Sequence, residues 1–537
     1  MRKLLSQAKS MAKDQVSARA SPQGSSTPTT LPAPPQTDSP SRIQPPTLRD
    51  LYRYRYHHGT NLGSLFVLER WLAPSMFPDS ATGGSELAAA TALVSSLGLD
   101  GARQKFEEHW RTFVSDADLD WLAGEGACTS VRLPIGYWTL GPGFCRGTAF
   151  QDVASVYGGA WDAVKGLVRR CGERGIGVLV DLHGLPGGAN GNDHSGTDGG
   201  KAEFWGKREN VDSGLRCVGF VVEELKGFEN LVGVQIINEA EWAAKGMWEY
   251  YDRAREVVGK IDEGLPVYVS DAWDLGRASN EVGRRNAVGS RGPPVVLDTH
   301  LYWCFSDEDK RKTARQIAGE AQGKLGELDG TSGSVVDKGA CQAIVGEYSC
   351  VLTEDTWQKS GHEGSKDDLA REFGQAQSRR YQEKAGGSFF WTYKMDWMDG
   401  GEWGFKEQTK KGSITAPANL RLGAQDLEQR TARARGERDQ KCGDSYGGHC
   451  HYWDTNYPGQ YEHQRFEAGW RVGFEDAAGM FEMRRNVGRG STSDKIGMLD
   501  LWVLKRIRES GQGGKFVWEY EQGLRQGIRD FYGLAGV

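Results

Sequence analysis

The sequence has no long hydrophobic run, no excess of positive charge and no apolar segment at its start. No stretch of about 18 consecutive apolar residues occurs in the 537 residues, which excludes a conventional membrane-spanning helix. The net charge is −6, so the chain has no general attraction to nucleic acids or anionic membranes. The opening MRKLLSQAKSMAKDQVSARA lacks the apolar core of a secretory signal peptide. We therefore expect no membrane span and no nucleic-acid partner.

Paired cysteines are also missing. An odd number of scattered cysteines without a CxxC motif is typical of free buried thiols in a reducing compartment. Only Cys442 and Cys450, in a Gly-rich segment, are close enough in sequence to suggest a disulfide or a metal pair. We expect a cytoplasmic protein; mitochondrial import is the alternative, because residues 1–20 hold five Lys and Arg against one Asp, and secretion is less favoured. The nine cysteines occupy positions 128, 145, 171, 217, 304, 341, 350, 442 and 450.

The chain divides into four parts by composition. A segment rich in Pro, Ser and Thr buries too little apolar surface to fold, so residues 1–47 are predicted to be a disordered tail. A folded body is expected over 48–405. A charged stretch, predicted to be a solvated excursion, covers 406–445. Amphipathic patterns then predict C-terminal helices over 446–537 that pack against the folded body.

The folded body repeats one unit, an apolar strand followed by polar residues and a helical stretch. Alternating strands and helices predict a parallel sheet, and eight units predict a closed (β/α)8 barrel, an α/β fold. A doubly wound open sheet is the alternative, but GTNLGS is a poor match to the phosphate-binding turn that normally follows its first strand. The predicted strands lie in segments 56–69, 128–136, 176–184, 231–239, 266–273, 294–302, 342–349 and 387–396.

Polar side chains stand at the ends of these strands. The segment VGVQIINEAEW, residues 232–242, begins as an apolar strand and ends in an amide and two carboxylates, which core packing does not explain. In a parallel barrel the carboxyl ends of all strands meet at one mouth, where the chemistry takes place. We therefore expect the following residues to form one site: Glu69, Arg132, His183, Asn238, Glu239, His300, Tyr302, Glu347 and Trp391.

Two facing carboxyl groups among His, Asn, Tyr and Arg suit the cleavage of a glycosidic bond. One carboxyl must donate a proton to the leaving oxygen, and the other must be ionised to attack the anomeric carbon. We predict Glu239 as the donor and Glu347 as the nucleophile, kept ionised by Arg132. The nearby charge of Glu347 is expected to raise the pKa of Glu239. Asn238 is suited to a hydrogen bond with the sugar 2-hydroxyl.

A metal site is the alternative for part of this set. His183 and His300, with Asp181 and Asp298, would provide two imidazoles and two carboxylates. Each Asp lies two residues before its His, so it shares a face of the strand but lies deeper in the barrel. We therefore expect neither a metal nor another cofactor, and interpret the histidines as donors to sugar hydroxyls.

The same residues resemble a known family. From about residue 54 to residue 405 the chain resembles the fungal exo-β-1,3-glucanases of glycoside hydrolase family 5, whose fold is a (β/α)8 barrel. The matching motifs occur in the same order along the chain. They are GTNLGSLFVLERWLAPSMF at 59–77, HWRTFVSDADLDWLAGEGACTSVRLPIGYW at 109–138, DLHGLPGGANGNDHSG at 181–196, IINEAEW at 236–242, LDTHLYWCFS at 297–306, IVGEYSCVLT at 344–353 and FFWTYK at 389–394.

The resemblance implies a role for each matching residue. Glu239 would be the acid/base and Glu347 the nucleophile, with Arg132 beside it. Trp391 would be the platform under the glucose whose bond is cleaved. The implied substrate-binding residues are Glu69, Arg132, His183, Asn238, His300, Tyr302, Phe305 and Trp391.

The departures from the family concern the leaving-group side. Secreted relatives usually carry an aromatic residue at the position of Asn192 and an Asn at that of His194. That aromatic forms half of a clamp around the next sugar, and Phe305 matches the other half. NEAEW replaces the common NEP, which adds Glu241 and Trp242. The C-terminal region also exceeds that of the secreted enzymes, so the chain resembles an intracellular branch.

We expect a retaining, exo-acting β-glucoside hydrolase that acts on β-1,3-glucan or its oligosaccharides. The missing aromatic at Asn192 makes a glucolipid or steryl β-glucosidase the alternative. A catalytically silent barrel that binds sugar is a further alternative. The presence of both carboxylates argues against it.

Overall fold

The computed structural model describes residues 43–330, 333–484, 487 and 493–537. Most of the predicted disordered tail, residues 1–42, therefore lies outside the described residues. The fold begins slightly before the predicted boundary, because Thr47 caps the first helix. Its hydroxyl accepts from the backbone N–H of Asp50 at 3.1 Å, and the Asp50 carboxylate accepts from the N–H of Thr47 at 2.9 Å.

Eight parallel strands form a closed barrel in which each strand pairs with its neighbours in chain order. The last strand pairs with the first, with His57 opposite Gly387 and Thr60 opposite Phe390. The predicted (β/α)8 barrel is confirmed. The strands are β1 His57–Asn61, β2 Ser130–Gly136, β3 Gly177–Gly184, β4 Leu231–Gln235, β5 Val267–Ser270, β6 Val295–Leu301, β7 Ala343–Tyr348 and β8 Gly387–Phe390.

Helices surround the barrel, so both faces of its sheet are covered and nearly every strand residue is buried. Those before or between the strands are α1 Leu48–Tyr54, α2 Glu86–Thr112, α3 Asp116–Ala123, α4 Ala160–Gly172, α5 Arg208–Leu225, α6 Met247–Gly259, α7 Leu275–Arg285, α8 Ala314–Ala321, α9 Val335–Lys338, α10 Glu354–Ser360 and α11 Lys366–Lys384. Those after the last strand are α12 Phe405–Lys410, α13 Ala424–Gly436, α14 Arg438–Asn456, α15 Gln464–Met483, α16 Leu499–Ser510 and α17 Val517–Ala535.

Several strands end before the segments predicted for them do, and two of these early ends place a predicted carboxylate in a loop. β1 ends at Asn61 and β4 at Gln235, so Glu69 and Glu239 belong to the loops that follow these strands. Glu239 has a φ of 42°, a left-handed conformation that few residues other than glycine adopt. The chain bends at Asn238 and Glu239.

The C-terminal helices close the amino-terminal end of the barrel, opposite the strand ends that carry the polar residues. The N–H groups of Gly497 and Met498 donate to the carbonyl of Tyr54, just before β1, at 2.9 and 3.0 Å. The ring of Tyr54 packs edge-on against Trp502 of α16. These helices and the lower barrel residues share one apolar cluster, which includes Leu179, Val232, Tyr268, Val296, Ile344 and Phe389.

The segment 406–445, predicted to be a solvated excursion, is largely helical. Its charged residues occupy the outer faces of α13 and α14, while Leu427, Ala434 and Cys442 are buried against the C-terminal helices. A highly charged helix with a narrow apolar stripe looks like a solvated segment by composition, which explains the difference. Within the described part of the chain, no helix is long and apolar enough to cross a membrane.

Candidate active site

A cavity of about 890 Å³ opens at the carboxyl ends of the strands. The residues predicted from the strand ends converge there, although they are far apart in sequence. Two of them, Arg132 and Asn238, are completely buried below the cavity floor. The predicted residues that line the cavity are Glu69, His183, Glu239, His300, Tyr302, Phe305, Glu347 and Trp391.

Arg132, on β2, lies at the centre of a buried hydrogen-bond network. Its guanidinium donates to Glu347 at 2.9 Å and to Asn238 at 2.8 Å. It also donates to Asn61 at 2.9 Å, at the end of β1, and to Gln235 at 3.0 Å, at the end of β4. Burial alone would lower the pKa of Arg132, but the surrounding carboxylates raise it well above its ordinary value. Arg132 is therefore a permanent cation under the site.

The carboxylate of Glu347, near the end of β7, is held on both of its oxygens. Arg132 donates to Oε1 at 2.9 Å, and the Tyr302 hydroxyl donates to Oε2 at 2.8 Å. Nδ1 of His300 lies 3.4 Å from the same Oε2. The orientation of the carboxylate is thus fixed by three groups, which come from β2, from β6 and from the residues just after β6.

His183 and Asn238 are oriented by the same network. Nδ1 of His183 lies 2.7 Å from the Asp181 carboxylate, and its Nε2 lies 3.3 Å from the Asn238 amide nitrogen. Burial lowers the pKa of His183, so the ring is neutral and donates to Asp181 while accepting from Asn238. Both polar atoms of Asn238 are thus engaged within the protein, and its predicted bond to the sugar 2-hydroxyl stays a prediction.

The network also bears on the alternative of a metal held by His183, His300, Asp181 and Asp298. Nη2 of Arg132 lies 3.0 Å from Asp181 and 3.6 Å from Asp298. A guanidinium therefore occupies the space between the two carboxylates, where a metal ion would have to bind. The donor set fits a cation supplied by the protein itself and does not fit a bound metal.

Glu239 lies between two imidazoles. Nδ1 of His300 is 2.9 Å from Oε1, and Nε2 of His194 is 3.3 Å from Oε2. Burial would raise the pKa of Glu239, but the hydrogen bonds from these two rings outweigh it and lower the pKa well below its ordinary value. The predicted increase through the charge of Glu347 is therefore wrong for this arrangement, because two imidazoles lie closer to Glu239 and stabilise its ionised form.

Glu69 reaches the cavity from the loop after β1. The indole N–H of Trp71 donates to its Oε2 at 2.9 Å, and its backbone N–H donates to Ser64 Oγ at 2.8 Å. Burial raises the pKa of Glu69 to about 7. At neutral pH this carboxyl is therefore divided between its protonated form, which can donate to a hydroxyl, and its ionised form, which can accept.

Aromatic rings form the walls of the cavity. Trp391, directly after β8, is buried and stacks against His183 with a centroid distance of 5.9 Å. At the rim, Phe305 and Trp273 are 69% and 54% exposed, which leaves their faces free for a ligand. Trp273 was not predicted from the sequence, nor were the wall residues Trp71 and Trp403. Glu241 and Trp242, expected near the leaving group, do not line the cavity.

Two residues of the network, Asn61 and Gln235, were not predicted. Gln235 is a polar residue within an otherwise apolar strand, and such positions usually face a polar interior network. Asn61 ends a strand made of His, Gly and Thr, where the sequence offers no such contrast. Trp403 lies beyond the last strand in a loop without any periodic pattern, and only the fold brings it to the cavity.

Comparison with known proteins identifies the chain. Residues 434–535 match the profile of the glucan 1,3-beta-glucosidase 3 C-terminal domain. Glucan 1,3-beta-glucosidase 3 of Schizosaccharomyces pombe is 34% identical over 489 residues, covering 89% of this chain and 95% of the relative. An uncharacterized glycosyl hydrolase of Saccharomyces cerevisiae is 31% identical and covers 90% of this chain and 92% of its own length.

Among solved structures, rutinosidase from Aspergillus niger superposes with a TM-score of 0.54 at 16% identity, covering 68% of this chain and 99% of that enzyme. At this identity the match supports the barrel fold alone. An acidic, aromatic-walled cavity at the carboxyl ends of a (β/α)8 barrel, together with these relatives, defines a glycoside hydrolase. The chain belongs to the glucan 1,3-β-glucosidases of glycoside hydrolase family 5.

Proposed function

We propose that the chain is a retaining, exo-acting β-glucoside hydrolase in which Glu347 is the nucleophile and Glu239 the acid/base. The observation that carries this proposal is the position of the two carboxyl groups. An oxygen of Glu239 and an oxygen of Glu347 lie within 4.8 Å of each other across the cavity floor. Retaining enzymes hold the two groups about 5–5.5 Å apart, whereas inverting enzymes need about 6.5–9.5 Å to admit a water molecule.

The surroundings of Glu347 suit a nucleophile. Arg132 stabilises the negative charge, and Tyr302 fixes the second oxygen through a hydrogen bond of 2.8 Å. In the first step this carboxylate attacks the anomeric carbon, and a covalent glycosyl-enzyme forms as the bond to the leaving oxygen breaks.

Glu239 completes both steps from the opposite side. It gives a proton to the leaving oxygen in the first step, and in the second step it takes a proton from the water that hydrolyses the glycosyl-enzyme. Trp391 stacks under the glucose ring during both steps. Glu69, with a pKa raised to about 7, is placed to bond the glucose hydroxyls, and His183 lines the same cavity.

The substrate that we propose is β-1,3-glucan or its oligosaccharides, following the activity named for the Schizosaccharomyces pombe relative. The exo mode follows from the same name, since a glucosidase releases single glucose units.

A β-glucoside with an apolar leaving group, such as a glucolipid or a steryl glucoside, is the second candidate. It is favoured by the rim, where Phe305 and Trp273 expose large apolar faces beside the acid/base. Asn192, also at the rim, supplies no aromatic partner to Phe305 for clamping a second sugar. An apolar group would cover these faces and gain burial energy that a hydrated sugar does not.

The test is a comparison of purified protein on laminari-oligosaccharides, aryl β-glucosides and glucosylceramide, with the anomer of the first product followed by proton NMR. We expect β-glucose to appear first from every substrate that is cleaved. Initial release of α-glucose would contradict the retaining mechanism, and no cleavage of any of the three would contradict the proposed activity.

A further inference from the structure

The two imidazoles beside Glu239 are held in different ways. His300 is fixed at both ends, with Nδ1 2.9 Å from Glu239 and Nε2 3.0 Å from Asp298. His194 is fixed at one end only, by the 3.3 Å contact of its Nε2 with Glu239. Its Nδ1 is buried and has no hydrogen-bond partner among the residues that the structure describes. A proton on Nε2 of His194 can therefore move to Glu239 without breaking a second ion pair.

The position of His194 depends on a short turn after β3. The 3-10 helix Asp193–Ser195 carries the ring into the cavity, and Ser195 fixes the turn by donating to the Asn190 side chain at 2.9 Å. The ring lies 5.1 Å from that of His183, measured between centroids. His194 is thus presented to Glu239 by a loop that the barrel supports.

Negative charge surrounds His194. Burial alone would lower the pKa of the ring, but the hydrogen bond to Glu239 and the charges of Glu239, Glu69 and Glu347 outweigh burial and raise it to about 9. The other ionisable groups that face it are the neutral His183 and the charged His300, across Glu239. In the free enzyme the shared proton therefore resides on His194, and Glu239 is ionised.

We propose that His194 stores the acid proton of the resting enzyme and returns it to Glu239 when the leaving oxygen of a substrate arrives. This proposal rests on the proposed function, because it assumes that Glu239 is the acid/base. His194 acts through Glu239 and is a positioning residue for the proton. It explains how a carboxyl group between two imidazoles can serve as a general acid.

The proton that leaves His194 in the first step of the reaction is replaced in the second step. The N–H bond of His194 Nε2 breaks as an O–H bond forms on Glu239, and this proton then passes to the leaving oxygen as the glycosidic bond breaks. His194 and Glu239 are then neutral and ionised, respectively. In the second step Glu239 takes a proton from the attacking water and passes it back to His194.

A distinct pH dependence follows. The acid proton is present below the pKa of His194 and is lost as the pH rises through about 9. With Asn at this position Glu239 must keep the proton on its own carboxyl. The basic limb of the kcat/KM profile should then move to lower pH by more than about two pH units, because an ordinary imidazole and an ordinary carboxyl already differ by about two and the pKa of His194 is raised further.

The experiment compares H194N with the unchanged protein over a pH range of about 5–10 on 4-methoxyphenyl and 2,4-dinitrophenyl β-glucosides. The methoxyphenyl leaving group needs the proton, so the basic limb of the kcat/KM profile on this substrate should move to lower pH in H194N. The dinitrophenyl group leaves without a proton, so the profile on that substrate should be the same in H194N and the unchanged protein. H362N is the matched control, because His362 is exposed and does not line the cavity. If H194N does not fold, H194Q replaces it.

Equal basic limbs for H194N and the unchanged protein on both substrates would overturn the role of His194. A separate variant, E239A, tests the assumption beneath it. If E239A cleaves the methoxyphenyl glucoside as fast as the unchanged protein does, the proposed function itself fails. If E239A is impaired but the basic limb of the H194N kcat/KM profile does not move, only the proposed role of His194 is wrong.

Discussion

At the scale of single residues, the two carboxyl groups are distinguished by the ions around them. Glu347 contacts a guanidinium that is always charged and a tyrosine hydroxyl that cannot release its proton near neutral pH, because burial raises the pKa of Tyr302 well above its usual range. Glu239 contacts two imidazoles, whose protons can move. A permanent cation suits a group that stays ionised, and mobile protons suit a group that changes state twice per cycle.

Azide distinguishes the two roles. E239A and E347A should each reduce turnover by about 10²–10⁴-fold or more on substrates with poor leaving groups, as expected for loss of a general acid or a nucleophile. Azide entering the space of Glu239 should attack the glycosyl-enzyme and give a β-glucosyl azide. Azide entering the space of Glu347 should attack the substrate directly and give an α-glucosyl azide.

The measurement is proton NMR of the azide products of both variants. Asp193 lines the same cavity but contacts neither carboxylate in the described structure, so D193A is a control that should form no azide adduct. If the two variants give the opposite anomers, the roles of Glu239 and Glu347 are exchanged. If both variants keep undiminished activity, neither residue has its assigned role.

At the scale of elements, the barrel was predictable because nearly every strand carries its own signal. A short apolar run followed by polar residues marks seven of the eight strands, all but β1, and the parallel topology places the polar ends together. The sequence could not predict where β1 and β4 end, because the apolar pattern continues into loops that are also buried, as at Leu62 and Ile236. It could not predict the pairing of His194 with Glu239 either. That contact depends on how two loops fold over each other.

The helices α15 and α17 pack unusually close through glycines. A methyl group added to Gly473 would overlap the carbonyl oxygen of Leu524, and one added to Gly527 would overlap that of Trp470. G527A should therefore force the helices apart and destabilise the protein by about 1–3 kcal/mol, the usual cost of overpacking. Urea denaturation followed by tryptophan fluorescence measures the change.

Gly533 of the same helix provides the control. A methyl group there meets no atom within 4 Å, so G533A should be neutral or stabilise the helix by about 0.5–1 kcal/mol. If G527A is as stable as G533A, the helices do not depend on this close approach.

At the scale of the whole molecule, the C-terminal helices and the barrel form one folded unit. Arg55, before β1, and Arg484, after α15, both pair with Asp494, at 3.2 and 3.3 Å. Arg55 also donates to the carbonyls of Thr129 and Gly175 at the lower end of the barrel. All three charged side chains are nearly inaccessible to solvent. One carboxylate thus holds two buried cations that belong to different parts of the chain.

D494N should consequently be strongly destabilising, by about 3–5 kcal/mol, because it leaves two buried guanidinium groups without an ionic partner. The barrel and the C-terminal helices should still unfold in one transition, with its midpoint at a lower denaturant concentration. D439N is the control, since the Asp439 side chain is 83% exposed and its charge contributes little. A change of less than about 1 kcal/mol in D494N would show that the two arginines are held by backbone carbonyls instead, as neutral acceptors suffice for an ordinary hydrogen bond of that strength.

The thiols of the whole chain give the last prediction. Seven of the nine cysteines are buried. Burial raises the pKa of Cys171 and Cys217 to about 12, so these thiols are almost never ionised and do not react. N-ethylmaleimide should therefore modify at most Cys304 and Cys450, which are half-buried, in the folded protein and all nine in urea, as counted by mass spectrometry.

A reducing agent should leave the thermal unfolding midpoint unchanged, because no disulfide would be lost. Nine scattered cysteines without a CxxC motif suit a reducing compartment, and on this ground we propose the cytosol, with the mitochondrial matrix as the alternative. Imaging of the protein tagged at its C-terminus checks the location. A disulfide in the native mass spectrum, or native protein recovered from the medium or the cell wall, would contradict the proposal, since an oxidising environment would have exposed these thiols to pairing during folding.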